Sequence, residues 1–295
     1  YFKPTPRMRM KWMSFNQAGR PGFGLVVDQS VLEAPADMAQ QWPSLWHVVS
    51  TGQAQEVAEA ISKNPRVWPL SELTVDLPMP HAPRIFCIGR NYKGHVAEVG
   101  SVLPKHPSMF IRGVESLVAH GQPLERPQAS ADFDFEGELA VVMGEGGRHI
   151  ARQQALSKVF GYTIFNDGSV RDVQFQHSLT AGKNFYRSGA MGPWIVSAAD
   201  IPDPTQLWLS TILNGQRVQH SQTDDLIFDI PAIIEYISGF TPLQAGDIIA
   251  TGTPDGVGMA RKPPLWLKPG DLIEVQISQI GILSNAVRDG DCAGA

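Results

Sequence analysis

The segment Asp132-Phe-Asp-Phe-Glu-Gly-Glu-Leu-Ala-Val-Val-Met143 decides how the rest of the chain is interpreted. If its backbone is extended, successive side chains point to opposite faces, so that four acids share one face and both phenylalanines the other. These acids are Asp132, Asp134, Glu136 and Glu138. Like charges this close raise one another's pKa and cost stability unless water or a cation meets them. The segment therefore predicts either a solvated edge strand, whose acids suppress aggregation, or a cation site.

A further acid, Asp167, favours the cation site. It follows an apolar run, Tyr162 to Phe165, that indicates a strand, and it lies in an Asn-Asp-Gly sequence typical of turns. Mg²⁺ prefers carboxylate oxygens and keeps coordination positions open for water or substrate. Glu136 and Glu138 from one strand, with Asp167 from another, would form such an all-oxygen site. The solvated strand remains the alternative on the residues alone.

His95 and Glu98 form a second candidate group. They follow an apolar strand and a glycine, and on a helical turn their i, i+3 spacing places them side by side. The carboxylate can then orient the imidazole and stabilise it once protonated, which is how a general base for water is built. A surface ion pair, an accidental pairing at a helix start and a zinc site with His-x-x-Glu spacing are the alternatives.

Two further segments carry polar groups suited to a substrate. Lys183 lies between a glycine and Asn-Phe, a setting in which an ammonium can stabilise an oxyanion or donate a proton, although a solvated lysine fits equally. The Gly- and Thr-rich segment 251–258 lacks the Lys-Ser or Lys-Thr that a phosphate-binding loop requires, which argues against a nucleotide. Its hydroxyl and N–H groups could instead bind a carboxylate.

Short runs of Val, Ile and Phe between Gly, Pro and Asp predict a mainly β protein of the α+β class. We expect strands at 24–27, 85–88, 139–143 and 272–277, and helices at 44–61, 151–159 and 230–240, the last capped by Asp229. Three prolines between residues 77 and 83 suit a linker. The predicted division is a small N-terminal α/β domain (1–75), a proline-rich linker (76–83), a catalytic domain (84–290) and a tail (291–295).

The composition excludes several classes of protein. A net charge of -5 provides no positive field for nucleic acid or an anionic membrane. No apolar run is long enough to span a bilayer, and Tyr1 to Met13 lacks the apolar core of a secretory signal. Cys87 and Cys292 form no metal-binding or redox pattern, so that a reducing, cytoplasmic location is expected.

Taken together, the motifs resemble the fumarylacetoacetate hydrolase family from about Pro83 to Asp289. The resemblance is carried by the following stretches in this order: Ile88-Gly-Arg-Asn-Tyr92 with His95 and Glu98, Asp134 to Val142, Gly161 to Gln174, Gly182-Lys183, Gly192 to Val196, Thr251 to Gly258 and Leu267 to Asp271.

The resemblance implies a rolled mixed β-sheet catalytic domain, a homodimer and a metal held by Glu136, Glu138 and Asp167. The metal would be Mg²⁺ or Mn²⁺, which Ca²⁺ could replace in a crystal. It further implies that His95 and Glu98 form a water-activating dyad on a lid helix, with Lys183 facing the reacting oxygen. The expected substrate contacts are Arg90, Tyr92, Gln174, Phe185, Tyr186 and Thr253.

For function, the resemblance implies hydrolysis of a carbon–carbon bond in an acylpyruvate-like or other β-diketone acid, with water delivered by the dyad. Decarboxylation of an oxaloacetate-like acid or keto–enol isomerisation at the same metal site is the alternative. A catalytically silent binding protein is less favoured, because binding alone requires no base. Arg112, Gly168, Val170 and residues 184–191 depart from the family's usual pattern, which leaves the substrate open. A bulky acyl group against Phe185, Tyr186 and Met191 is one hypothesis.

Overall fold

The computed structural model describes residues 9–290, which form three sheets and six short helices. The strands are β1 (Lys11–Gln17), β2 (Arg20–Val27), β3 (Ser30–Glu33), β4 (Arg66–Pro69), β5 (Thr74–Val75), β6 (Ile85–Gly89), β7 (Ser108–Arg112), β8 (Leu117–Val118), β9 (Leu124–Arg126), β10 (Phe133–Asp134), β11 (Gly137–Met143), β12 (Val159–Asn166), β13 (Ser169–Val170), β14 (Gly189–Ser197), β15 (Trp208–Leu213), β16 (Gln216–Gln222), β17 (Ile248–Ala250), β18 (Leu272–Ile277) and β19 (Gly281–Asp289). The helices are α1 (Leu45–Ser50), α2 (Ala54–Lys63), α3 (Lys93–Glu98), α4 (Arg171–Gln176), α5 (Leu179–Lys183) and α6 (Ile230–Phe240).

The largest sheet has twelve strands, in the order β4-β3-β2-β1-β14-β12-β11-β17-β6-β7, with β5 beside β1 and β8 beside β14. It is mixed, because β17 pairs in parallel with β6 and β8 with β14, whereas the other pairs are antiparallel. The predicted α+β, mainly β class is therefore confirmed.

A five-stranded sheet, ordered β16-β15-β18-β19-β9, packs against the large one. Leu209, Val275 and Leu283 from the small sheet share a buried cluster with Leu139 and Ile164 from the large one. Burying these apolar side chains between two sheets is the main source of stability in such layered folds.

The pairing of β11 with β12 brings the acidic segment to Asp167. Gly137 is opposite Asn166 and Glu138 is opposite Phe165, so the start of β11 lies beside the end of β12. Gly137 is needed there, because an added Cβ would lie 2.2 Å from the hydroxyl oxygen of Thr211.

The N-terminal strands extend the large sheet, since β1 pairs with β14. Trp12 and Phe23 belong to the same buried cluster as Phe165 and Ile195. Residues 9–75 are therefore not shown as a separate unit, and the division of the chain at residues 76–83 stays a prediction. The predicted tail, 291–295, lies outside the described residues.

Two of the predicted helices differ in the structure. The helix expected at 44–61 is interrupted at Gly52, which has a φ of +69°. The N–H of Gly52 donates to the carbonyl of Val49, and the N–H of Gln53 donates to the carbonyl of Val48. These two bonds form a Schellman motif that ends α1 before α2 begins. The helix expected at 151–159 is wrong, because the segment forms two short 3-10 turns before β12. Helix α6 is confirmed, with Asp229 accepting a hydrogen bond from the Ala232 N–H as its N-cap.

Within residues 9–290, no helix combines the length and apolar character required to cross a membrane.

Candidate metal centre

Glu136, Glu138 and Asp167 converge as the sequence predicts. Each offers a carboxylate oxygen, and these three atoms lie within 4.8 Å of one another. All three residues are buried, with 6%, 1% and 1% of their surface exposed. The backbone N–H of Asp167 donates a 2.8 Å hydrogen bond to the carbonyl of Glu136, which ties the end of β12 to the segment before β11. The solvated edge strand is therefore wrong for this part of the segment.

Lys183, at the end of α5, joins two of these acids. Its ammonium donates to Oε2 of Glu136 at 2.7 Å and to Oδ2 of Asp167 at 2.8 Å. Burial lowers the pKa of Lys183, but the charges of Asp167 and Glu136 outweigh it and raise the pKa overall. The side chain is therefore a permanent cation beside the acids.

Arg112, at the end of β7, holds the other oxygen of Asp167. Its Nη1 donates to Oδ1 of Asp167 at 2.5 Å and to the carbonyl of Gly168 at 2.9 Å. Its remaining N–H groups bind Ser116 and Ser188, so that all its donors are used. This saturated guanidinium fixes the orientation of the Asp167 carboxylate.

Arg171, the first residue of α4, has a similar role for Glu136. It donates to Oδ2 of Asp134 at 2.8 Å and to Oε1 of Glu136 at 2.6 Å. Asp134 also accepts from the N–H groups of Gly258 and Met259. Asp134, one of the four acids predicted to share a face, lies beside Glu136 on the same guanidinium but is not part of the carboxylate triad.

Glu138 differs from its neighbours. Its Oε2 accepts a 2.9 Å hydrogen bond from the N–H of Gly252, and none of the Arg and Lys side chains in residues 9–290 hydrogen-bonds to it. Burial and the charges of Asp167 and Glu136 raise its pKa well above the ordinary value. Burial also opposes ionisation of Glu136, but Lys183 and Arg171 lower its pKa to about 2.

The donor set fits a divalent cation. An ionised Glu138 is buried beside two other carboxylates without a cation of its own, and a bound metal would supply that charge. The ligands would be three carboxylate oxygens, which hard ions such as Mg²⁺ and Mn²⁺ prefer.

His95 and Glu98 lie on α3 at the edge of this centre. The Nδ1 atom of His95 is 3.5 Å from Oε2 of Glu98, and it has no hydrogen-bond partner among the described residues. The other carboxylate oxygen of Glu98 accepts a 2.9 Å hydrogen bond from the N–H of Gly256. This bond fastens the end of α3 to the 251–258 loop.

A cavity of about 350 Å³ opens beside the centre. Its charged and polar lining includes Arg90, His95, Glu136, Glu138, Arg171, Gln174, Lys183 and Thr253, and its larger apolar lining includes Phe110, Phe175, Leu179 and Met259. A small organic acid fits such a volume.

The structure brings only some of the expected substrate contacts to this cavity. Arg90, Gln174 and Thr253 line it, although the Thr253 hydroxyl already donates to the carbonyl of Gly137. The lining formed by residues 9–290 does not include the other expected contacts, Tyr92, Phe185 and Tyr186, nor Met191 from the acyl-group hypothesis. Tyr92 is fully buried, and Tyr186 is 63% exposed.

The sequence indicated no role for Arg112 or Arg171, which position the acids, and it placed Asp134 among the acids of the segment, not as the partner of Arg171. The sequence gives a partial indication that Arg171 belongs to the site, because it follows Asp167 by four residues in the same segment. Two partners of Arg112, Asp167 and Ser188, lie 55 and 76 residues further along the chain, and no local pattern reveals these pairings.

Comparisons with known proteins agree with this geometry. The family model described as fumarylacetoacetate (FAA) hydrolase C-terminal matches residues 84–288. The oxaloacetate tautomerase YisK of Bacillus subtilis is 41% identical over 226 residues, covering 75% of each chain. The mitochondrial oxaloacetate tautomerase FAHD2A of Bos taurus is 32% identical over 300 residues, covering 97% of this chain and 93% of the relative.

Among solved structures, maleylpyruvate hydrolase from Sphingobium sp. SYK-6, in complex with manganese(II) and pyruvate, matches with a TM-score of 0.80 and 26% identity. The match covers 96% of this chain and 100% of that one. A protein of the same fold therefore binds a divalent metal together with a 2-oxo acid.

These relatives correct the expected reaction. The expectation of a hydrolase acting on carbon–carbon bonds in ketonic substances is wrong, because the two relatives found by sequence, YisK and FAHD2A, are oxaloacetate tautomerases, which are isomerases. The difference has a chemical reason. An acidic metal site that stabilises an enolate serves any reaction through that species, and the ligand motif alone does not determine whether a bond breaks afterwards.

Proposed function

Because the chain belongs to the fumarylacetoacetate hydrolase family, we propose that it interconverts the keto and enol forms of an oxaloacetate-like acid. The observation that carries the proposal is the convergence of three buried carboxylates, two of which, those of Glu136 and Glu138, line a cavity together with His95 and Lys183. The tautomerase relatives support this choice among the family's reactions.

Glu136, Glu138 and Asp167 would hold the metal, as Mg²⁺ or Mn²⁺. Bound there, the cation would act as a Lewis acid that acidifies the carbon next to the keto group of a 2-oxo acid. Arg112 and Lys183 each hold one carboxylate oxygen of Asp167 in place. Arg171 holds one carboxylate oxygen of Glu136. This positioning reduces the reorganisation required when metal and substrate bind.

The reaction moves one proton from carbon to oxygen, so it needs a base beside the cavity. His95 lines the cavity and is the candidate for that base. Glu98, 3.5 Å from its Nδ1 atom, would stabilise the imidazolium formed when the proton is taken. Lys183 keeps its charge because Asp167 and Glu136 surround it, and that charge favours the anionic form of the substrate oxygen.

The test follows the ultraviolet absorbance of the enol form of oxaloacetate as it approaches the keto–enol equilibrium. We expect the purified protein with Mg²⁺ or Mn²⁺ to accelerate this approach beyond the rate in buffer with the metal alone. Glu138→Gln should abolish the acceleration, because the cation loses one ligand charge. Pyruvate and CO₂ are measured in parallel, and their release at the rate of absorbance loss would indicate decarboxylation instead. No acceleration with either metal would contradict the proposal.

A homodimer and a cytoplasmic location remain predictions from the sequence, and the comparisons do not test them. Light scattering of the purified protein would test the first, and fractionation of the source cells the second.

A further inference from the structure

Gln219 ties the small sheet to the loop that contains Thr253 and Pro254. It lies on β16, is 2% exposed, and uses every hydrogen-bonding position of its amide. Its Oε1 accepts from the N–H of Gly137 at 3.0 Å and from the hydroxyl of Thr211 at 2.7 Å. Its Nε2 donates to the hydroxyl oxygen of Thr253 and to the carbonyl of Pro254, both at 2.9 Å. An apolar side chain at this position would lose all of these bonds.

Arg261 holds the second half of the 251–258 loop against the same strand. Its Nη2 donates to the carbonyls of Val218 at 2.6 Å and Gly256 at 3.2 Å, and its Nε also donates to the carbonyl of Gly256. A Cβ added to Gly256, whose φ is +98°, would lie 2.1 Å from the carbonyl oxygen of Val218. The backbone of the loop therefore rests directly on β16, and Arg261 bridges the two carbonyls.

The loop in turn contacts α3 near both of its ends. The N–H of Gly256 donates to Oε1 of Glu98 at 2.9 Å. At the start of the helix, a Cβ added to Gly94 would lie 2.5 Å from Oδ1 of Asp255, so these two residues are closely packed. His95 lies between the two contacts, and its Nδ1 is 3.5 Å from Oε2 of Glu98. The loop thus encloses the helical turn that carries the candidate base.

The other polar contact that a side chain of α3 makes with the rest of residues 9–290 is weak. Lys93 lies 3.7 Å from Asp225, and the two side chains are 63% and 36% exposed. Solvent screens a pair of this kind, which contributes little to holding the helix in place. Apart from the burial of Val96, the position of α3 therefore depends on its contacts with the 251–258 loop.

We propose that Gln219 and Arg261 are positioning residues, which hold the 251–258 loop where it orients Glu98 and, through Glu98, His95. The inference rests on the proposed function, in which His95 is the base. The cavity lining formed by residues 9–290 includes neither Gln219 nor Arg261, so their effect on turnover passes through the loop. The effect is expected to be large, because misplacing a catalytic group by about 1 Å can cost about 100-fold in rate.

The kinetic test compares variants that release the loop with a matched variant that does not. Arg261→Met and Gln219→Met release the loop from β16, whereas Arg261→Lys can keep one of the bonds. Asn285→Leu is the control, because Asn285 is an equally buried amide of the small sheet that donates to carbonyls outside the loop. Arg261 is only half-buried, so its variants keep the test valid if Gln219→Met does not fold.

We expect kcat for oxaloacetate to fall about tenfold in Arg261→Met and Gln219→Met and by less in Arg261→Lys, with KM within a factor of about 2 of the native value. Asn285→Leu should lower the Tm and leave kcat unchanged. An equal loss of kcat in Asn285→Leu and Arg261→Met would overturn the proposal, because any damage to the small sheet would then have the same effect.

A double-mutant cycle identifies the route of the effect. If the loop acts through Glu98, Arg261→Met should lower kcat in the native background but should cause no further loss in a Glu98→Ala background. A loss by the same factor in both backgrounds would show that Arg261 does not act through Glu98, and the proposal would be wrong.

Amide hydrogen exchange, followed by mass spectrometry on the Mg²⁺-loaded protein, tests the same positioning without turnover. We expect the peptide that contains α3 to exchange about tenfold faster in Arg261→Met and Gln219→Met than in the native protein, with α6 unchanged. In Asn285→Leu, α3 should exchange as in the native protein. If the native protein accelerates no tautomerisation while α3 responds in this way, only the proposed reaction fails. Unchanged exchange of α3 in both loop variants would overturn the role of Gln219 and Arg261.

Discussion

Glu138 accepts its hydrogen bond from the backbone N–H of Gly252, at 2.9 Å, whereas Glu136 and Asp167 are paired with cationic side chains. The site thus leaves one buried carboxylate to be balanced by a metal. Glycine is required at position 252, because its φ is +105° and an added Cβ would lie 2.7 Å from Cβ of Asn91.

We therefore expect Glu138→Gln to have opposite effects on metal binding and on stability. Metal affinity should fall by about 100-fold or more, because a ligand charge is lost. The metal-free protein should become more stable, with a Tm about 2–4 °C higher, because repulsion among three buried carboxylates is reduced. Thermal unfolding with and without Mn²⁺ measures both effects.

Glu125→Gln is the matched control. Glu125 is also a buried acid, but it is paired with Arg187 and Arg288. Its replacement should lower the Tm of the metal-free protein and leave metal affinity unchanged. An equal change in Tm for Glu138→Gln and Glu125→Gln would contradict the claim that Glu138 is a buried acid without a cationic partner.

Replacing Arg112 should be among the most destabilising changes at the site. Arg112→Met removes the partner of Oδ1 in the buried Asp167 carboxylate, which keeps Lys183 at Oδ2, and should lower the free energy of unfolding by about 3–5 kcal/mol. Arg112→Lys keeps the charge but can replace only some of the hydrogen bonds, so a loss of about 1–2 kcal/mol is expected. Arg152→Met, which breaks an exposed pair with Asp229, should cost less than about 1 kcal/mol. Urea unfolding gives all three values, and equal costs for Arg112→Met and Arg152→Met would disprove this account.

His95→Gln should lower turnover without changing metal affinity. Turnover should fall by about 100-fold, as for loss of a general base, while the Kd for Mn²⁺ stays within a factor of about 2 of the native value. His220→Gln, on the outer face of the small sheet where His220 stacks on Trp208, should change neither quantity. Full turnover in His95→Gln would remove His95 from the mechanism.

Cys87 should resist thiol reagents in the folded protein. It is fully buried in β6, and burial raises the pKa of its thiol well above the ordinary value. In a Cys292→Ser variant, which removes the cysteine outside the described residues, Ellman's reagent should react only after unfolding. Rapid reaction of the folded Cys292→Ser variant with Ellman's reagent would contradict the buried position of Cys87.

The same thiol implies a pH dependence of stability. Its pKa is higher in the folded state than in the unfolded state, where it is about 8.5. Above that pH the unfolded chain releases the proton and the folded one keeps it, so that stability falls by up to about 1.4 kcal/mol per pH unit through Cys87. Urea unfolding of the Cys292→Ser variant between about pH 8 and pH 10 should show this decline, and Cys87→Ala in the same background should reduce its slope.

The sequence predicted those features that depend on local pattern. Alternation in the acidic segment placed Glu136 and Glu138 near Asp167, and Asp229 marked the start of α6. The helix predicted at 151–159 fails because only Ala155 and Val159 are buried there, and a helix without an apolar face to pack gains little stability. The ion pairs of Arg112 and Arg171 could not be predicted, since each joins residues far apart in the chain.

The attachment of β1 to β14 bears on how this protein can be shortened. A version starting at residue 84, where the family match begins, would leave β14 without β1 along its outer edge and uncover Ile195 and Met191. An open strand edge beside bare apolar side chains invites association with other copies. Since β14 also flanks β12, which ends next to Asp167, minimal versions intended for crystallisation or engineering need to retain the first three strands.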